Sequence, residues 1–224
     1  MKNIVISGVS QGIGFELVKK LHQNHQVFAI TSHKEKAQTI LPETNVTLLE
    51  IDYLTTDPFS ASIPFPERVD ILINNAGILI NKPFEELTKE EIEKSLAVNF
   101  TGALRLIQRL IPNLKQSPTA HVVNIGSMGG FQGSSKYPGL SVYSATKGAL
   151  AVLTESLASE YVNTNIRFNC LCLGAVQTEM LQQAFPGYQA PINPNGMAEF
   201  IIDFAFNGRN YFNGKILPVA LSNP

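Results

Sequence analysis

The chain has almost no net charge to act through. Seventeen Lys and Arg stand against 18 Asp and Glu, a formal net charge of -1. No run of basic residues forms the electrostatic footprint that a nucleic-acid backbone requires, so no nucleic-acid partner is expected. The start is short of apolar sequence: Met1-Lys2-Asn3-Ile4-Val5-Ile6-Ser7-Gly8 reaches a turn signal after a few apolar residues. That is too little for a signal-peptide core or a membrane span, and a cytoplasmic protein without a membrane partner is expected. Cysteine is scarce as well. Cys170 and Cys172 are the only two, in Arg167-Phe168-Asn169-Cys170-Leu171-Cys172-Leu173, a strand-like run whose side chains two apart share a face. Such neighbours are poorly placed to bridge, so both read as reduced, small apolar residues rather than a disulfide or a thiol nucleophile. Metal ligands are thin too. His22 and His25 close a helical pattern, where polar caps are common, with no third ligand nearby, and no metal site is expected.

Apolar side chain, by contrast, is plentiful. Hydrophobic residues make up 44% of the 224 and charged residues 16%, enough for a sizeable core and too little charge for a disordered chain. With no internal repeat, low-complexity segment or obvious linker, one domain over 1-224 is expected. Short Val/Ile-rich runs at 3-7, 26-31, 46-51, 69-74, 119-126, 166-172 and 215-219 alternate with helical patterns near 12-23, 34-41, 85-97, 100-115, 142-162, 177-184 and 196-206. Alternation of this kind predicts an α/β fold, a doubly wound, mostly parallel seven-stranded sheet with helices on both faces. Most of the strand runs are continuously apolar, as strands buried on both faces require. Thr88-Lys89-Glu90-Glu91 is a capping box and sets a helix start at Thr88.

The first strand runs directly into Ser7-Gly8-Val9-Ser10-Gln11-Gly12-Ile13-Gly14 and then a helical Phe15-Glu16-Leu17-Val18-Lys19-Lys20-Leu21. In a strand-turn-helix setting glycines permit the tight turn, let backbone approach a pyrophosphate and allow close helix packing. The helix N-terminus offers free N-H groups and partial positive charge to phosphates. Gly8, Ser10, Gln11, Gly12, Ile13 and Gly14 are therefore candidate dinucleotide-binding residues of a Rossmann-like fold.

The spacing Gly8-x3-Gly12-x-Gly14 resembles that of the short-chain dehydrogenase/reductase family, and further features follow in the same order. They are Asn74-Asn75-Ala76-Gly77 after the fourth strand, Asn99 in a long helix, Ser127 after the fifth strand, and Tyr143-Ser144-Ala145-Thr146-Lys147. Spacing alone puts Tyr143 and Lys147 one helical turn apart on one face, where the plainer reading is a buried Tyr beside a solvated Lys. The resemblance implies an NAD(P)-dependent oxidoreductase that interconverts a carbonyl and an alcohol, with Tyr143 as general acid/base assisted by Lys147. It also implies that Lys147 holds the nicotinamide ribose hydroxyls, that Ser127 donates to the substrate oxygen, and that Asn99 supports a water chain leading from Lys147. Bringing a free Tyr from a pKa near 10 to about 7 takes about 4 kcal/mol. A helix terminus contributes about 0.3 to 1 kcal/mol, whereas a unit charge about 4 Å away is worth about 4 kcal/mol at an effective dielectric near 20. Lys147, helped by the cationic nicotinamide of the oxidised cofactor, is therefore the expected source of the shift.

Cofactor preference is set after the second strand, where an acidic residue binds a ribose 2'-hydroxyl and a basic one accepts a 2'-phosphate. Ala29-Ile30-Thr31-Ser32-His33-Lys34 has no carboxylate at Thr31 or Ser32, while Ser32, His33 and Lys34 suit a phosphate. NADP is favoured, with NAD possible, although Gln11 stands where many NADP-using members carry Arg or Lys. By family position Asp52 contacts the adenine, Asn75, Ala76 and Gly77 line the cofactor site, and Gly174, Val176 and Thr178 follow the sixth strand. Leu173 stands where the family commonly has Pro. Residues 176-195 are expected to form a substrate lid with Met180, Leu181, Phe185 and Tyr188 as apolar surface. A homodimer or homotetramer is expected, since Leu150, Val152, Leu153 and Leu157 are apolar on more than one side of their helix. The alternatives are a redox-inactive NADP-binding sensor or partner-binding protein on the same fold, and an epimerase or dehydratase.

Overall fold

A computed structural model describes residues 1–41, 44–60 and 62–221. Seven strands run β1 (Asn3–Ser7), β2 (Gln26–Thr31), β3 (Val46–Glu50), β4 (Ile71–Asn74), β5 (His121–Ser127), β6 (Arg167–Leu173) and β7 (Lys215–Val219). They form one sheet in the order β3-β2-β1-β4-β5-β6-β7, and each pairing is parallel. This is the Rossmann-like, doubly wound sheet expected from the alternating pattern. Successive strands step one way from β1 through β3 and the other way from β4 on, so the crevice where the order reverses lies beyond the carboxyl ends of β1 and β4, the preferred ligand position in such sheets.

The continuous apolar runs have a direct cause, because each face of a strand meets helices. Ile4, Ile6, Ile71, Ile73, Val123 and Ile125 point to one side. There they pack on α1 (Gly12–Leu21) through Leu17, Val18 and Leu21, and on α7 (Pro194–Asn207) through Met197, Ile201 and Phe204. Val5, Leu72, Val122 and Phe168 point to the other side, onto Leu106, Leu110 and Leu114 of α4 (Gly102–Lys115). Every side chain of β4 is buried. Among the described residues no helix is long and apolar enough to cross a membrane.

The strands at 3-7, 26-31 and 215-219 have the expected bounds, and the other boundaries differ by up to four residues, most at the start of the third helix. The stretch expected as a helix over 85-97 is a short 3-10 turn (Phe84–Glu86) followed by α3 (Lys89–Leu96). Thr88 and Glu91 form the reciprocal capping box, Glu91 N to Thr88 Oγ1 at 3.2 Å and Thr88 N to Glu91 Oε2 at 2.9 Å. Between α3 and α4 the chain does not break but widens into a π-helical turn over Ala97–Thr101. The remaining helices are α2 (Lys34–Ile40), α5 (Ser141–Glu160) and α6 (Glu179–Ala184).

Candidate active site

The glycine turn is held by contacts that leave no space for side chains. Gly8 has φ +74°, and a Cβ there would lie 2.6 Å from Ala76 Cα. At Gly14 a Cβ would overlap the Gly8 carbonyl oxygen and come within 2.6 Å of Asn75 Nδ2. Asn75 Nδ2 donates to the Ser7 and Gly8 carbonyls at 3.1 and 2.9 Å, and Ala76 N donates to Ser7 Oγ at 3.1 Å. The segment after β4 therefore clamps the turn after β1. Gln11 precedes α1 in an extended conformation without a side-chain cap, and no acidic residue occupies the first turn. Its free amides and partial positive charge are available to an anion.

The expected reacting groups converge at the carboxyl end of β5. Ser127 ends β5 and accepts from Gly129 N at 3.1 Å, which fixes its hydroxyl at the start of a 3-10 turn. Its hydroxyl is close enough to that of Tyr143 on α5 to pull the Tyr143 pKa down. Lys147, one turn further along, is buried and donates from Nζ to the Ile125 carbonyl at 2.8 Å. Burial brings the Lys147 pKa down to about 8. Burial likewise raises the Tyr143 pKa, opposed by the Ser127 hydroxyl. Tyr143 borders the cavity and is half-buried. The protein alone thus sets the balance differently from the expected Lys147-driven lowering. Desolvation outweighs the lowering by Ser127, and the Lys147 ammonium is engaged by a backbone carbonyl.

Asn99 lies in the π-helical turn, the irregularity its poor helix propensity foreshadowed. Its amide bridges two elements: Oδ1 accepts from Ile78 N at 2.8 Å, and Nδ2 donates to Ile78 O at 3.0 Å and to Thr146 Oγ1 at 3.2 Å. Thr146 Oγ1 in turn donates to the Tyr143 carbonyl at 2.7 Å. That hydroxyl can only accept from Asn99, so Thr146 dictates which way the Asn99 amide faces. Gly77 lies between Asn99 and Lys147, since a Cβ on it would be 3.4 Å from both Asn99 Oδ1 and Lys147 Nζ.

A cavity of about 850 Å³ joins these two regions. Gly8, Ser10, Gln11, Gly12, Ile13, Ser32, His33, Lys34, Asn75 and Gly77 border it, as do Ser127, Tyr143, Lys147, Gly174, Val176 and Thr178. Four expected residues do not. Gly14 and Ala76 pack behind the turn, and Asn99 sits behind Gly77. Asp52 lies after β3. Its carboxylate accepts from Leu54 N at 3.0 Å in a turn outside the cavity wall, and Glu50, at the end of β3, borders the cavity instead.

Thr178 caps α6, its hydroxyl accepting from Leu181 N at 3.2 Å. Met180, Leu181 and Phe185 border the cavity, whereas Tyr188 does not. Phe185 meets the Tyr137 ring edge-on at 5.8 Å, and Asn81 Nδ2 donates to the Ala184 carbonyl at 2.8 Å. Leu173 ends β6 in register with Ser127 and Val219, and Gly174 N donates to Val219 O at 2.9 Å, so the segment starts from a paired strand even without a proline. The thiols of Cys170 and Cys172 are free and buried over Gly126, consistent with small packing residues.

Sequence reasoning passed over Lys36, Thr146 and Tyr137. Lys36 borders the cavity and donates from Nζ to Gln11 Oε1 at 3.2 Å, so a cation stands beside the glycine turn where Gln11 itself supplies none. Its only sequence signal was a position on the helix after β2. Thr146 was visible inside the Tyr-Lys motif, and a Thr in mid-helix with its hydroxyl on a carbonyl three residues back is a known pattern. Nothing in the sequence singled out Tyr137.

Comparison with known proteins agrees with this geometry. A family model described as short chain dehydrogenase matches residues 2–189. The chain is 31% identical to an uncharacterized oxidoreductase of Staphylococcus saprophyticus, over 92% of this chain and 90% of that one. It is 25% identical to another of Staphylococcus aureus, over 90% and 89%. In fold it is similar to a 3-ketoacyl-(acyl-carrier-protein) reductase from Brucella melitensis complexed with NADH, with TM-score 0.82, 23% identity, and 97% and 96% of the two chains covered. A serine dehydrogenase complexed with NADP+ gives TM-score 0.82 and 22% identity, over 97% and 94%.

Proposed function

This chain belongs to the short chain dehydrogenase family and is an oxidoreductase, and from that premise we propose that it interconverts a carbonyl and an alcohol by hydride transfer, with Tyr143 moving the proton. The observation that carries the reading is the gathering of Ser127, Tyr143 and buried Lys147 on the wall of one cavity that begins at the glycine turn.

The residues present fit a nicotinamide dinucleotide. The turn cannot hold a Cβ at Gly8 or Gly14, α1 begins without a side-chain cap or acidic residue, and the cavity runs from there to Ser127. When bound, that cofactor supplies or accepts the hydride. Gly8 to Ile13 hold its phosphates, and Asn75, Gly77, Gly174, Val176 and Thr178 line its path.

Ser127 donates to the substrate oxygen. Gly129 N donates to the Ser127 oxygen, and the hydroxyl proton serves that role. Tyr143, whose raised pKa keeps it protonated at neutral pH, delivers its proton to the oxygen as it gains charge. The phenolate left on Tyr143 is stabilised by the Lys147 ammonium, which also holds the ribose hydroxyls. Asn99, fixed by Ile78 and Thr146, supports the water chain that returns a proton toward Lys147.

NADP is the favoured cofactor. His33, Lys34 and Lys36 border the end of the cavity next to the glycine turn, and Lys36 reaches Gln11. Glu35 and Glu50 border it as well, so the preference is a balance of charges rather than an exclusion of NAD. A homo-oligomer is supported by Val152, exposed on the outer side of α5 while Leu150 is buried, and light scattering showing only monomer would count against it. The central test is Tyr143→Phe. It removes the proton and little else, and general acid catalysis is worth about 10²- to 10⁴-fold. Turnover of a carbonyl substrate should fall by at least that much while titration shows NADPH binding within about twofold; undiminished reduction by the variant removes the reading.

A further inference from the structure

We propose that the substrate end of the cavity takes a neutral, apolar carbonyl compound or alcohol and discriminates against carboxylate- and phosphate-bearing ones. The proposal rests on the reading of Ser127 and Tyr143 as the groups that hold the reacting oxygen.

The charges bordering the cavity are separated along the sheet. Among the described residues, His33, Lys34 and Lys36 follow β2, and Lys147 is the other basic side chain on the wall. β2 and β5 stand three places apart in the sheet, which at the usual spacing puts their ends roughly 14 Å apart. Lys147 lies on the β5 side, but its ammonium is buried and engaged with the Ile125 carbonyl.

The cavity wall also includes Met128, which follows Ser127 in the chain, with Tyr137, Leu140, Met180, Leu181 and Phe185. The edge-on pair of Tyr137 and Phe185 presents ring surface suited to an aromatic or branched aliphatic group. The charged side chain contributed by the segment after β6 is Glu179, in the first turn of α6, and it repels an anion. The α6 N-terminus gives an anion little in return, because the Leu181 amide is already bonded to Thr178 Oγ1 and Glu179 offsets the helix dipole. A carboxylate lying on this wall loses water and gains no countercharge. Polar recognition is therefore confined to one oxygen, at Ser127 and Tyr143, with the rest of the molecule held by apolar contact.

The test is a matched pair, methyl 4-formylbenzoate and 4-formylbenzoate, which share ring and aldehyde and differ in charge. With NADPH as reductant, kcat/KM should be at least about tenfold higher for the ester, chiefly through KM. An equal or higher value for the carboxylate overturns the proposal. Reduction of neither aldehyde speaks against the catalytic reading, and binding then decides the substrate class. In calorimetric titration of the NADPH-saturated protein, methyl benzoate should bind more tightly than benzoate. Tighter benzoate, or no binding of either at millimolar concentration, overturns the proposal. Met180→Arg places a cation on the wall and should narrow or reverse the preference; an unchanged ratio overturns the assignment of this wall to the substrate.

Discussion

The two ends of the cavity are built from different material. At the glycine turn the wall is backbone, held by Asn75 to two carbonyls and by Ala76 to Ser7. Where Met180, Leu181 and Phe185 lie, the wall is side chain on a six-residue helix, tied to the rest through Asn81 and one ring contact. On the proposed function, the first end would recognise groups common to every nicotinamide dinucleotide, which calls for an invariant, tight shape. The second end would meet a substrate of particular shape, where apolar side chains can be exchanged. Rigidity at one end and replaceability at the other follow from what each must bind.

Gly14→Ala should produce the largest effect. The added methyl has only the Gly8 carbonyl and Asn75 amide to push against, and overpacking of this kind costs about 1–3 kcal/mol. Thermal melting should fall by several degrees and NADPH affinity by at least about tenfold; an unchanged melting curve and affinity would mean the turn is as adaptable as the opposite wall. Next in size is Lys36→Ala. One charge-assisted phosphate contact is worth about 1.5–3 kcal/mol, so the Kd for NADPH should rise roughly tenfold or more while that for NADH stays nearly constant. Equal weakening of both would place Lys36 in general packing instead. The smallest effect belongs to Asn81→Ala, which removes the bond to the Ala184 carbonyl, worth about 1 kcal/mol. Substrate KM should rise about fivefold with the NADPH Kd unaltered, and a parallel loss of cofactor affinity would show that the two ends are mechanically one.

The same contrast explains which parts of the site could be read beforehand. The glycine turn was legible because a positive φ at Gly8 and the contact at Gly14 admit almost no other residue. The Thr88 capping box was legible because both partners are local. The π-helical turn left only a faint trace in Asn99, a mediocre helix former with apolar neighbours. Lys36 stayed hidden because its partner Gln11 is 25 positions away and only the packing of α2 beside the turn brings them together. That the Asp52 carboxylate accepts from Leu54 N in a turn is likewise something family position does not reveal.

By itself the sequence determined the doubly wound sheet, the tight glycine turn and the order in which Ser127, Tyr143 and Lys147 appear. Those features depend on periodicity and on residues whose local geometry has few substitutes. Tertiary structure alone decided that burial raises the Tyr143 pKa and lowers that of Lys147, that Thr146 orients Asn99, and that cations gather at one end of the cavity while the other is apolar. Desolvation and charge separation depend on distances between segments far apart in the chain, which no local pattern encodes.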